Sequence, residues 1–161
     1  MFGLFKKKDK NHMLGSVAKG KAVALSQVSD PTFGQGILGD GVAVIPSEGK
    51  IYSPVDGKVE MVFDTLHAVS ITADFGAEVL VHVGLDTVQM KGDGFEGHVK
   101  AEDQVKKGDL LLTVDLDKVK AAGYDTIIPV IICNTADYAK VEGISGKDVA
   151  PGDDILTVTE K

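Results

Sequence analysis

The chain has 161 residues, of which 43% are hydrophobic and 25% charged, a length and composition typical of one folded domain rather than of a disordered chain. Its formal net charge of −7 excludes nucleic acid as the main partner, because phosphate binding needs a basic surface. The single cysteine, Cys133, excludes an intramolecular disulfide and favours a reducing compartment, so we expect a cytoplasmic protein.

The N-terminal residues 1–15 predict a flexible, lysine-rich tail ahead of a single folded domain at 16–161. The first eight residues are apolar and then basic, which is the reverse of a secretory signal peptide. Their apolar part is too short to hold at a lipid headgroup boundary alone, so we expect at most transient membrane association through this tail. No apolar run approaches the roughly 20 residues that span a bilayer.

Short apolar segments separated by turn residues follow, at a spacing typical of all-β domains. Thr126–Cys133 contains Pro129, which predicts an edge strand or a bulge there, and its last residue, Cys133, is expected to be a small buried hydrophobe. One short helix is predicted at Asp117–Ala122, ended by Gly123. The predicted strands are Lys21–Val28, Val42–Ile45, Ile51–Ser53, Lys58–Phe63, His67–Asp74, Glu78–Val83, Phe95–Val99 and Thr126–Cys133.

A short internal repeat relates two distant parts of the chain. Val105–Val114 is similar to Val149–Val158, and both place a Gly-Asp turn before a strand. Such self-similarity indicates a duplicated β unit. The predicted fold is therefore all-β, an antiparallel two-sheet sandwich or barrel-sandwich of duplicated type with at most one or two short helices.

Two histidines interrupt otherwise apolar strands. Side chains alternate along a strand, so Leu80 and His82 share one face while the valines between and after them form the core face. His67 opens the neighbouring predicted strand on the face of Val69 and Ile71. A polar ring removed from water needs a hydrogen-bond partner. Pairing of the two strands would bring His67 and His82 within contact of one small bound group.

Two imidazoles allow two kinds of chemistry. Neutral imidazole is a nucleophile and an acid or base near neutral pH, so one ring could attack phosphorus while the other donates a hydrogen bond to the phosphoryl oxygens. Alternatively, His67 and His82 could bind zinc, although weakly, because zinc prefers four ligands and only two nitrogens are evident. No cofactor is required by the first interpretation.

The site segment resembles the active-site motif of glucose-family enzyme IIA, a phosphocarrier of the bacterial phosphoenolpyruvate:sugar phosphotransferase system. The resemblance rests on EVLVHVGLDTVQMKGDG at Glu78–Gly94, ILGDGVAV at Ile37–Val44, SPVDGKV at Ser53–Val59 and TLHAVSI at Thr65–Ile71. It extends over about residues 15–160 with matching order and spacing, which is more specific than any single motif.

The resemblance implies a role for each matching residue. His82 would carry the phosphoryl group on Nε2, and His67 would contact the phosphate without replacing His82. Thr65 would orient the His67 ring, and the Gly84 carbonyl would accept a hydrogen bond from His82 Nδ1–H, fixing its tautomer.

The resemblance also implies a partner surface and two partners. Acidic side chains would meet an arginine of the donor, and an apolar collar around the site would face the partners and exclude water. The phosphoryl donor would be the carrier protein HPr, and the acceptor would be the cysteine of a glucose-type enzyme IIB domain. The acidic residues are Asp30 and Asp86, and the collar is Phe33, Ile37, Leu38, Phe63, Leu80 and Val88.

Two other classes of protein compete with this interpretation. A zinc hydrolase on the same type of β scaffold fits the His-x-x-x-Asp spacing from His82 to Asp86, but the His-x-His segment of such enzymes is absent from the sequence. A carrier of the biotinyl or lipoyl type is suggested by Met90-Lys91, an echo of its modified lysine.

Overall fold

Antiparallel strands dominate the computed structural model, which describes residues 10–161. Two short α-helices, α1 (Pro31–Gly34) and α2 (Leu116–Ala121), interrupt them. The strands are β1 (Asn11–Gly15), β2 (Gly20–Ala24), β3 (Asp40–Pro46), β4 (Lys50–Tyr52), β5 (Gly57–Val62), β6 (Ala68–Ala73), β7 (Glu78–His82), β8 (Phe95–Gly97), β9 (Gln104–Val105), β10 (Leu110–Val114), β11 (Ile128–Ile132), β12 (Tyr138–Gly143), β13 (Lys147–Val149) and β14 (Asp154–Glu160).

The strands form one large sheet and two small ones. The eight-stranded sheet has the order β13-β2-β3-β11-β7-β6-β5-β9, and the three-stranded sheets are β1-β14-β12 and β4-β10-β8. The prediction of an all-β, antiparallel fold with at most two short helices is confirmed. None of the helices in residues 10–161 is long and apolar enough to cross a membrane.

The internal repeat corresponds to two copies of one turn. In each copy an aspartate side chain accepts a hydrogen bond from the backbone N–H three residues earlier: Asp109 from Lys106, and Asp153 from Ala150, both at 2.8 Å. The aspartate carbonyl then accepts from a buried serine N–H, Ser53 at 2.8 Å in one copy and Ser16 in the other. The duplicated unit inferred from sequence is therefore present in the fold.

Apolar side chains divide between two cores on opposite faces of the eight-stranded sheet. The main core lies between the sheets, where its branched side chains interdigitate without contact with water. The second core covers part of the other face, which we call the outer face. Large members of the main core are Leu14, Ile51, Ile71, Leu111, Leu112, Ile128, Ile132, Ile155 and Leu156, and the second core is Val23, Leu25, Val28, Phe33, Ala43, Leu85, Ile127 and Ile131.

Two predictions near the N-terminus need correction. Asn11–Gly15, assigned from sequence to the tail, form β1 and pair with β14 in register from Asn11 opposite Thr159. The long sequence separation of these partners made the pairing invisible to a local pattern. Residues 1–9, including the part considered for membrane association, lie outside the described residues. The predicted strand Lys21–Val28 ends at Ala24, where a turn of 3₁₀ helix, Leu25–Gln27, begins.

Two predictions about β11 were wrong. Pro129 lies in a central strand, because β11 pairs with β3 on one side and β7 on the other. Pairing with β7 begins only at Val130, so the missing proline N–H falls at the end of that ladder. Cys133 is exposed rather than buried, because it lies one residue beyond the end of the strand.

Candidate functional site

His82 ends β7 and lies on the outer face of the large sheet. Val79 and Val81 are fully buried in the main core, whereas Leu80 packs against the second core and His82 is partly exposed. The alternation inferred from the sequence is therefore confirmed. The Phe33 ring packs against the imidazole of His82, with ring centroids 4.7 Å apart.

The turn after β7 sets the protonation of the His82 ring. The Gly84 carbonyl lies 2.8 Å from His82 Nδ1. A carbonyl oxygen only accepts, so Nδ1 carries the proton and donates it. In the neutral ring the other nitrogen, Nε2, then keeps its lone pair and is the nucleophilic atom.

His67 reaches the site from a turn, not from a strand. β6 begins one residue later, and it is Ala68 that pairs with His82. Leu66 has φ of 61°, a left-handed conformation that breaks the regular alternation of side chains. Strand alternation predicts that His67 shares a face with Val69 and Ile71, but those two residues lie in the main core while His67 contacts His82.

The two imidazoles are brought together edge to face. Their ring centroids are 4.9 Å apart with an interplanar angle of 81°. Thr65 Oγ1 and His67 Nδ1 share a hydrogen bond at 2.5 Å, and the Phe63 ring packs against His67 with centroids 5.3 Å apart. Both rings use Nδ1 for a hydrogen bond to the protein, so Nε2 is the nitrogen of each ring that remains for a ligand.

Burial keeps both rings neutral near pH 7. Desolvation, followed by the charge on His82, lowers the pKa of His67 from 6.5 to about 4. Desolvation also lowers the pKa of His82, and the Gly84 hydrogen bond, Asp30 and Asp86 oppose that shift. A neutral nucleophile beside a neutral hydrogen-bond donor is the state that attack on phosphorus requires.

The predicted partner-binding residues surround the histidines in part. Asp30 and Asp86 act on the charge of the His82 ring, and Asp30 also caps α1 by accepting from Thr32 N–H at 2.9 Å. The predicted collar is of mixed exposure. Phe33 is buried under the outer face, Phe63 and Leu80 are half-buried, and Ile37, Leu38 and Val88 are exposed at 68%, 39% and 45%.

Two residues of this region, Met61 and Thr87, are not among the site residues predicted from the sequence. Met61 is 47% exposed and pairs with Ser70, which pairs in turn with Leu80, so it extends the apolar part of the outer face. Thr87 is fully buried and its hydroxyl donates to the Val83 carbonyl at 2.6 Å. The orientation of Met61 depends on a β-bulge in β5, and the bond from Thr87 to the Val83 carbonyl depends on the turn, so neither is visible in a local sequence pattern.

The donor set at the site fits zinc only partly. Two imidazoles lie together with ring centroids 4.9 Å apart, but no group of three or more histidine, cysteine, aspartate or glutamate side chains within residues 10–161 could hold a metal ion. Zinc at His67 and His82 would need water or a partner's carboxylate for the rest of its tetrahedral shell.

Comparison with known proteins identifies relatives over most of the chain. The family described as phosphoenolpyruvate-dependent sugar phosphotransferase system, EIIA 1, matches residues 12–138. The PTS system glucose-specific EIIA component of Bacillus anthracis is 38% identical, covering 100% of this chain and 98% of the relative. The glucose permease IIA from Mycoplasma capricolum, a solved structure, superposes with a TM-score of 0.88 at 34% identity, covering 96% of this chain and 99% of that one.

Some relatives are much longer proteins. The PTS system beta-glucoside-specific EIIBCA component of Bacillus subtilis strain 168 is 49% identical over 127 residues, which cover 79% of this chain and 21% of the relative. The chain thus spans about a fifth of the length of such relatives.

Proposed function

The chain belongs to the EIIA 1 family of the phosphoenolpyruvate-dependent sugar phosphotransferase system, the glucose-family phosphocarriers, and on that premise we propose that His82 carries the phosphoryl group. The observation that carries this proposal is the hydrogen bond from His82 Nδ1–H to the Gly84 carbonyl, which leaves the Nε2 lone pair free. His67, with its ring centroid 4.9 Å away, contacts the phosphoryl oxygens.

The first step transfers phosphorus between two nitrogens. His82 Nε2 attacks the phosphorus of a phosphohistidine on the donor, and the nitrogen–phosphorus bond of the donor breaks. The electron pair of that bond returns to the donor imidazole, so no net oxidation or reduction occurs. Such a step depends on positioning and on charge neutralisation more than on covalent chemistry from the scaffold.

The second step returns His82 to its starting state. A cysteine thiolate of the acceptor attacks the phosphorus, the bond to Nε2 breaks, and its electron pair becomes the Nε2 lone pair again. The Gly84 carbonyl holds the proton on Nδ1 throughout. The His82 imidazole is therefore released from phosphorus in the tautomer that it had before the first step.

His67 is proposed to act as a neutral hydrogen-bond donor. Its pKa of about 4 keeps the ring uncharged at neutral pH. If the Thr65 hydroxyl donates to Nδ1, the single proton of the neutral ring lies on Nε2, where it can reach a phosphoryl oxygen. Such a donor stabilises the negative charge that the oxygens carry in the transition state.

The partners proposed are HPr as donor and a glucose-type enzyme IIB domain as acceptor, in the cytoplasm. Exposed apolar side chains beside two carboxylates suit a partner that presents an arginine within an apolar patch. Asp30 and Asp86 would meet that arginine, and the collar would exclude water. The collar proposed is Phe33, Ile37, Leu38, Phe63, Leu80 and Val88. The whole-chain resemblance to glucose-specific EIIA components favours this function over a zinc hydrolase or a biotinyl or lipoyl carrier.

A phosphorylation assay with labelled phosphoenolpyruvate, enzyme I and HPr tests the proposal. The wild-type chain is expected to take up one phosphoryl group, and His82→Ala is expected to take up none. His98→Ala is the matched control, because His98 is exposed and its ring hydrogen-bonds Thr113 Oγ1 rather than a residue of the site. Labelling of His82→Ala, mapped to any other residue, would overturn the assignment.

A further inference from the structure

The peptide unit that precedes Gly84 is hydrogen-bonded at both ends. Its carbonyl, that of Val83, accepts from Thr87 Oγ1 at 2.6 Å. Its N–H, that of Gly84, donates to the Ile127 carbonyl at 3.0 Å. The plane of this peptide therefore cannot rotate unless one of the two bonds breaks.

The peptide unit that follows Gly84 is held in the same way. Its N–H, that of Leu85, donates to the Asp125 carbonyl at 3.0 Å, and its carbonyl accepts from His82 Nδ1–H at 2.8 Å. Of the four partners that hold the two peptides, two are backbone carbonyls and one is His82 itself. The Thr87 hydroxyl is thus the one partner that a side-chain substitution can remove without touching the reacting ring.

Packing couples Thr87 to Gly84 as well. Gly84 has φ of +82°, and a Cβ built on it would lie 2.5 Å from Thr87 Cγ2 and 2.9 Å from the Asp125 carbonyl oxygen. Thr87 is fully buried beneath this turn. The threonine methyl group therefore packs closely against Gly84, while its hydroxyl fixes the Val83–Gly84 peptide.

We propose that Thr87 is a positioning residue for phosphoryl transfer, whose hydroxyl holds the Val83–Gly84 peptide so that the Gly84 carbonyl remains the acceptor for His82 Nδ1–H. This inference rests on the proposed function of His82. Without the Thr87 hydroxyl, the buried Val83 carbonyl loses its partner and the peptide is free to turn toward another donor.

Rotation of the Val83–Gly84 peptide changes φ of Gly84 and so displaces the Gly84 carbonyl, which belongs to the next peptide. This displacement would act on the nucleophile through its proton. When the Gly84 carbonyl moves out of reach, a fraction of neutral His82 rings carries the proton on Nε2, and those rings have no lone pair to attack phosphorus. The pKa of His82 falls as well, because the Gly84 hydrogen bond opposes the lowering caused by burial.

Nitrogen NMR of His82 in Thr87→Val is the test, because valine keeps the shape and removes the hydroxyl. We expect the Nε2–H tautomer to appear, the pKa of His82 to fall and the rate of labelling from phospho-HPr to drop about tenfold. Thr87→Ser keeps the hydroxyl and is expected to keep the Nδ1–H tautomer and most of the rate.

Thr135→Val is the matched control. Thr135 Oγ1 also donates to a backbone carbonyl, that of Ile132, at 2.6 Å, but at the opposite end of β11. We expect a loss of stability in this variant without a change in the His82 tautomer. An unchanged tautomer and pKa in folded Thr87→Val would overturn the proposal. The tautomer is measured without phosphorylation, so this result is independent of whether His82→Ala is labelled.

Discussion

His12 and His82 have different roles, and the difference follows from the group that accepts a hydrogen bond from each ring, Glu160 for His12 and Gly84 for His82. His12 Nε2 donates to Glu160 Oε2 at 2.5 Å, and its ring stacks on Phe75 with centroids 3.9 Å apart and planes within 5°. The acceptor lies 148 residues away on β14, so this imidazole joins β1 to another part of the chain.

The His82 bond is local and has the opposite consequence. Its acceptor, the Gly84 carbonyl, lies two residues away in the same turn, so the bond orients the ring and joins no distant strands. Phe33 and His67 both lie against the ring, at interplanar angles of 51° and 81°, so neither stacks on it as Phe75 stacks on His12. A distant carboxylate makes a histidine structural, whereas a neighbouring carbonyl and a second imidazole prepare one for chemistry.

Replacing His67 should give the largest difference in transfer rate between a variant of the site and a variant of the structural histidine, His12. His67→Gln is expected to accept phosphate and to pass it to enzyme IIB about 100-fold more slowly, because the glutamine amide does not reproduce the position of the imidazole donor that Thr65 holds. Rapid-quench transfer kinetics measure this. His12→Gln is the matched control and should transfer at the wild-type rate. A wild-type rate for His67→Gln would remove His67 from the chemistry.

Acid should weaken the fold through the buried histidines of the site. The pKa of His67 is about 4 in the folded chain against 6.5 unfolded, so between these values the unfolded chain binds more protons. The free energy of unfolding should therefore fall as the pH drops from 6.5 to 4, by at most about 3 kcal/mol from His67 and its repulsion by a charged His82, at 1.36 kcal/mol per pKa unit.

Urea denaturation across that range measures the fall in stability. His67→Gln should reduce the pH dependence, since glutamine binds no proton, and the part that remains comes from His82, whose pKa is also lowered by burial. Equal slopes in wild-type and His67→Gln would show that burial of His67 carries no such cost.

Removing the structural histidine should weaken the fold and spare the chemistry. His12→Gln loses a ring that stacks on Phe75 and hydrogen-bonds Glu160, so we expect the free energy of unfolding to fall by about 1–2 kcal/mol. Urea denaturation measures the loss, and labelling from phospho-HPr should be unchanged. A loss of labelling in the folded variant would contradict the division of roles.

Zinc should have the smallest effect. The two Nε2 atoms of His67 and His82 form an incomplete site, so added zinc should slow phosphorylation by less than about tenfold and leave folding unchanged. Calorimetric titration of the purified chain measures the affinity, with His67→Gln as the weakened control. A tight stoichiometric site, with unfolding on chelation, would favour the zinc hydrolase.

Local pattern was enough to predict much of this protein. The alternation around Leu80 and His82 predicted which side chains face the core, because the side-chain period of a strand is a property of neighbouring residues. The order of the motifs predicted the family, and the Gly-Asp repeat predicted the duplicated turn.

Tertiary structure decided what depends on contacts between distant residues or on unusual backbone. The left-handed Leu66 turns His67 toward His82, and strand alternation could not anticipate it. The pairing of β1 with β14 and the central place of Pro129 depend on partners far away in sequence. Thr87 can act as a positioning residue because the turn brings its hydroxyl to the carbonyl of Val83, four residues earlier in the chain. Hydrogen bonds of this kind are made by the fold, so a local pattern carries no sign of them.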